Sequence, residues 1–60
     1  MRFFTVAEIA ELLRVRKETV YGWIKHGELA SIQFARTLRV DERDLEQFVK
    51  SHRNERRTNA

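Results

Sequence analysis

Cysteine and proline are both missing from these 60 residues, and glycine occurs only twice, at Gly22 and Gly27. Without cysteine there is no disulfide framework and no thiolate zinc site to reinforce a small domain. The two histidines, His26 and His52, stand apart from each other, so the sequence offers no metal site and implies no cofactor. No stretch approaches the roughly 20 apolar residues of a membrane span, and the opening "MRFFTVAEIAELL" places acids where a secretory leader needs an apolar run. The expectation is a soluble, cytoplasmic protein that engages no membrane. A serine or tyrosine nucleophile for strand cleavage would need an activating base and clustered cations in a pocket. A chain of this size has no room to enclose one, so no enzymatic activity is expected.

What remains is one small domain. A chain of this length buries only about 60% of the surface it would expose unfolded, so it has a single core and marginal stability. The net charge of +3 says little by itself, but its distribution is uneven. Residues 1–13 carry one base against two acids, and residues 14–39 six against two. Residues 40–49 then carry one base against four acids, and residues 50–60 four against one. Positive charge therefore gathers in the middle of the chain and at its end.

Thr5 and Glu8 have capping-box spacing at the start of a first helix, with Phe4 placed to staple onto Ile9. Val6, Ile9, Ala10 and Leu13 recur at three- and four-residue spacing and define its buried face. The pattern breaks at Arg14 and Val15, then resumes with Val20, Trp23 and Ile24 before Gly27, a residue suited to a left-handed helix end. After Gly27 the period drops to two. Ile32 and Phe34, then Leu38 and Val40, predict a hairpin turning at "ART", Ala35 to Thr37, with those four apolar side chains on one face. Asp41 opens a third helix, with Asp44 placed to complete a second capping box and Leu45, Phe48 and Val49 as its buried stripe. Residues 54–60 have no period and read as a mobile basic tail. The predicted fold over residues 1–53 is mainly α with a small β-hairpin, in the order helix, turn, helix, two-stranded ribbon, helix.

Two helices joined by three or four residues, the second preceded by bases, form a pattern whose second helix can lie in a DNA major groove. Stepping about 100° per residue from Val20 puts Trp23 and Ile24 on the inner side of that helix. Glu18, Gly22 and Lys25 then point outward, flanked by Thr19 and Tyr21. Arg16 and Lys17 sit at its amino end, where cations are unfavourable to the helix dipole and an external phosphate would account for them. Gln33, Arg36 and Arg39 are expected on the face or tip of the hairpin opposite its apolar residues, where arginine can reach a phosphate or a narrow minor groove.

The stretches "TVAEIAELL", "TVYGWIKHGEL", "LRV" and "DLEQFV" together resemble the small excisionase-type DNA-binding domains, which are similar to the amino-terminal winged helix-turn-helix of MerR-type regulators. The resemblance runs from Phe3 to about Lys50. It implies a second helix that reads the major groove, a wing on backbone or minor groove, and contact roles for Arg16, Lys17, Thr19, Tyr21, Arg36 and Arg39. The chain departs from that family's usual pattern at Arg14 and Ala35, both usually glycine, at Arg16, usually a serine-like cap, and at Gly22, usually polar or basic.

The resulting expectation is a non-catalytic, sequence-specific binder of double-stranded DNA, either a transcription regulator or a recombination directionality factor. Arg16, Lys17, Tyr21, Gln33, Arg36 and Arg39 form the backbone-facing set, and Lys17, Glu18, Thr19 and Lys25 the base-facing set. One such module covers few base pairs, so further copies on repeated sites, a recombinase or another regulator are the expected partners. The alternative is a protein-binding adaptor that uses Trp23, Phe3 and the tail, with an incidental basic surface.

Overall fold

The capping box that opens the first helix forms as its spacing predicts. Thr5 Oγ1 accepts from the Glu8 amide at 3.1 Å, and Glu8 Oε1 accepts from the Thr5 amide at 2.9 Å. The computed structural model describes residues 2–52; the tail expected over residues 54–60 lies outside them. The elements are β1 (Phe3–Thr5), α1 (Val6–Leu13), α2 (Lys17–Lys25), β2 (Ile32–Phe34), β3 (Thr37–Asp41) and α3 (Glu42–Ser51). This is the winged helix-turn-helix arrangement, with one addition: β1 pairs antiparallel with β3, so the wing belongs to a three-stranded sheet in the order β1-β3-β2. Three residues are too few to show a period of two, and β1 exists because β3 offers it an edge. No helix among the described residues is long and apolar enough to cross a membrane.

Both helices of the helix-turn-helix end in paired bonds of the Schellman kind. At the end of α1 the Arg14 amide donates to the Glu11 carbonyl at 3.3 Å and the Val15 amide to the Ala10 carbonyl at 2.9 Å. At the end of α2 the Gly27 amide donates to Ile24 at 3.1 Å and the Glu28 amide to Trp23 at 2.8 Å. Such an ending needs a left-handed residue. Gly27 supplies it at φ 78° without strain, whereas Arg14 supplies it at φ 59° with a side chain present. Leaving α1 this way turns Val15 back onto the core and aims α2 across α1.

Val6, Ile9, Ala10, Val20, Leu29, Val40, Leu45 and Phe48 form the buried core, with Phe4, Leu13, Val15, Trp23, Ile24 and Leu38 packed partly buried around it. Ile9, Val20 and Val40 have no exposed surface, and Leu29 retains 2%. Full burial of such side chains contributes about 1.5–3 kcal/mol each. Trp23 lies on the inner side as its helical position predicts, its ring 4.7 Å from that of Phe48.

Three local expectations are corrected. The hairpin loop has two residues, Ala35 and Arg36, because Phe34 pairs with Thr37, Gln33 with Leu38 and Ile32 with Arg39. Relative to a three-residue "ART" turn this register is shifted by one, and a one-residue shift moves a strand's side chains to the other face. Ile32 and Phe34 therefore share the outer face with Thr37 and Arg39, while Gln33 lies on the inner face with Leu38 and Val40. Second, Asp41 caps α3 by accepting from the Arg43 amide at 2.9 Å, without a reciprocal bond from Asp44. Aspartate is one methylene shorter than the glutamate of the α1 box, and the backbone it would have to reach is paired with Phe3 in the sheet. Third, Val49 is 39% exposed; it stands at the margin of the α3 stripe, beside Phe4 and Leu45 in a shallow surface groove.

Candidate functional site

Lys17 and Tyr21 are four residues apart on α2 and so lie on one side of that helix. The wing comes up against that side. A depression forms between them, walled by Lys17 and Tyr21 from α2, by Gln33, Arg36 and Thr37 from the hairpin, and by Thr5 and Ala7 at the start of α1, over a floor of Val6 and Leu38. Two cations, a phenol and an amide line it, and no carboxylate does. The amino end of α2 and the apex of the hairpin are thus neighbours on one side of the molecule.

The hairpin apex is held without glycine. Ala35 adopts φ 52°, a conformation a β-carbon disfavours. Side chains from both strands brace it: Thr37 Oγ1 donates to the Phe34 carbonyl at 3.1 Å, Gln33 Nε2 to the Ala35 carbonyl at 3.4 Å, and Arg39 Nε to Thr37 Oγ1 at 3.4 Å. These bonds set the direction in which Arg36 leaves the turn. Among the described residues Ala35 and Arg14 are the two non-glycine positions at positive φ.

Of the nine site residues expected from sequence, Lys17, Tyr21, Gln33 and Arg36 meet in the depression. Arg16, Glu18 and Thr19 are exposed along the first turn of α2 and its approach, and Lys25 is exposed in the last turn. Arg16 occupies the N-cap in an extended conformation and makes no capping bond with its side chain, so α2 begins uncapped on its basic side. Arg39 stands apart from the depression on the outer face of the sheet, between Thr5 on β1 and Ile32 on β2. The outward stripe of α2 runs from Glu18 through Gly22 to Lys25. A β-carbon placed on Gly22 would meet no atom within 4 Å, so nothing inside the domain requires glycine there. His26 folds back over this stripe, its Nδ1 bonded to the Gly22 carbonyl at 2.8 Å.

Sequence reasoning did not anticipate Thr5, Ala7 and Thr37 as parts of the depression. Thr5 and Ala7 reach it because β1 joins the sheet. Thr37 falls within the three-residue turn that the sequence predicts, whereas the two-residue loop places it in the strand opposite Phe34.

The family model described as "Helix-turn-helix domain" matches residues 3–53. The chain is 49% identical over 45 residues to "Uncharacterized protein YvgK" of Bacillus subtilis, a match covering 75% of this chain and 15% of that protein. It is 46% identical over 39 residues to "Putative DNA-binding protein Rv0500A" of Mycobacterium tuberculosis, covering 65% of this chain and 50% of that protein. The chain thus spans half or less of the length of these relatives. No solved structure matches it significantly.

Proposed function

The chain belongs to the helix-turn-helix domain family, and from that premise we propose that it binds double-stranded DNA sequence-specifically and without catalysis, α2 entering the major groove and the hairpin meeting the adjoining backbone or minor groove. The observation that carries this reading is the carboxylate-free depression in which Lys17 and Tyr21 face Gln33 and Arg36 across the junction of helix and wing. A strand of duplex backbone laid along that junction meets cations from two independent elements at once. Phosphate contacts of this kind fix register and orientation, while base edges supply the sequence information.

In this docking Arg16, Lys17, Tyr21, Gln33 and Arg36 hold phosphates, and Arg39 holds one on the far side of the wing. Glu18, Thr19 and Lys25, with the reach of Lys17, face base edges; a carboxylate such as Glu18 suits a cytosine amino group. The mycobacterial relative's name as a DNA-binding protein supports the same reading. The biological role is that of a small transcription regulator or an excisionase-type recombination directionality factor, with further copies on repeated sites, a recombinase or another regulator as partner.

Selection from a pool of random-sequence duplexes, followed by footprinting on the recovered site, tests the proposal. Enrichment of a short motif with protection on adjacent grooves is expected. Recovery of no motif at moderate salt would overturn it. A footprint that repeats at regular intervals would show several copies per site.

A further inference from the structure

Phe34 is an expensive residue to leave in water, and it stands at the tip of the hairpin with 48% of its surface exposed. Ile32, two residues back on the same face, is 40% exposed. Neither side chain serves the core: the two-residue loop sends both to the outer face, away from Leu38 and Val40. Phe34 is nonetheless held. The ring of Phe3, on the far strand of the sheet, meets it edge-on with centroids 5.7 Å apart, which fixes one side of Phe34 and leaves the rest free.

The charge around it identifies the kind of surface it fits. From Leu29 to Val40 the chain carries Arg36 and Arg39 and no acid at all. Arg36 lies in the loop directly after Phe34, and Arg39 lies on the same face opposite Ile32. Asp41, the acid on this face, sits at the opposite end of β3 beside Phe3 and accepts from the Arg43 amide as the cap of α3, so the charges next to Ile32 and Phe34 are cationic and suit a polyanion. Apolar side chains flanked by arginine are what minor-groove proteins insert between base pairs, partly unstacking the step they enter.

We propose that Phe34 is an apolar wedge that enters the minor groove and unstacks one base step, Arg36 and Arg39 gripping the phosphates on either side. This rests on the DNA reading above and adds to it a residue whose role is deformation, not attraction. Steps that unstack readily, TA and CA/TG, would be favoured under the wing although no polar group reads them.

The test uses the full chain and the duplex recovered from the random pool, with 2-aminopurine replacing each adenine in turn. Binding of the wild type should raise fluorescence at least twofold at one position under the wing. Phe34→Thr, which retains a strand-forming residue, should abolish that rise and weaken binding roughly tenfold, while the dependence of affinity on salt stays as in the wild type. Phe34→Leu should retain most of the rise. Thermal melting of each variant checks folding, and should Phe34→Thr fail to fold, Phe34→Val takes its place with the same expectation. An equal rise in wild type and Phe34→Thr, or no rise at any position in a wild-type complex that forms normally, overturns the wedge and leaves the DNA reading standing. Failure of the wild type to bind any duplex overturns both.

Discussion

Lys17 and Arg36 line the same depression, one from the first turn of α2 and the other from the apex of the hairpin, with Tyr21 and Gln33 completing the walls. Both side chains are exposed and neither belongs to the core. Lys17→Ala and Arg36→Ala should therefore leave the melting temperature within experimental error. Each should weaken duplex binding by about 1.5 kcal/mol, roughly tenfold, the scale of a charge-assisted hydrogen bond. Electrophoretic or fluorescence titration on one duplex, beside a melt of each variant, checks both halves. Because the two cations address one stretch of backbone, the double variant should lose less than the sum of the single losses.

Arg14 and Ala35 hold left-handed backbone that their side chains disfavour. Relief of that conformation is worth about 1–2 kcal/mol, less the extra unfolded-state freedom of glycine at somewhat under 1 kcal/mol. Arg14→Gly and Ala35→Gly are each expected to stabilise by about 0.5–1 kcal/mol net, a rise of roughly 2–8 °C for a domain of this size. Urea denaturation read by the fluorescence of Trp23 measures it. Destabilisation by either change would mean that the turn is held in another conformation.

Gly22 occupies the middle of α2 with open space where its β-carbon would be. Gly22→Ala should add about 1 kcal/mol to stability through helix propensity alone. If duplex approaches the Glu18–Gly22–Lys25 stripe as proposed, the same variant should bind less tightly despite being more stable. Measured together, the two changes should move in opposite directions; a stabilised variant of undiminished affinity would place the contact elsewhere on α2.

Core truncation ranks by burial. Ile9→Ala and Leu29→Ala, at 0% and 2% exposure, should cost about 2–5 kcal/mol each, enough to unfold much of a marginal domain at 37 °C. Ile24 is only partly buried, and Ile24→Ala should cost less than either. Circular dichroism melts of the three variants give the order.

The helices were legible in the sequence because their signals are local: the Thr5–Glu8 box, the Val6–Ile9–Ala10 spacing and the Gly27 ending each involve residues within one or two turns. What escaped was set by tertiary pairing. Among the described residues, Leu29 is the one buried side chain outside the helices and strands, where no period can flag it, and its amide is tied back to the Trp23 carbonyl at 3.2 Å. The hairpin register turned on whether Thr37 belonged to loop or strand, and that choice moved Ile32 and Phe34 from core to surface. For the candidate site, charge and residue type were readable in Lys17 and Arg36, but their meeting in one depression depends on how the sheet is seated against α1 and α2. Arg39 shows the converse: its charge was plain from the sequence, and its face was not.

The central claim is that one duplex touches α2 and the wing together, and the salt dependence of affinity tests it most directly. With about four to six phosphates neutralised, log affinity should fall against log salt with a slope of about −4 to −5, and each of Lys17→Ala and Arg36→Ala should make it shallower by about 0.9. A slope near zero in the wild type, or a wild-type slope in both variants, would contradict the account.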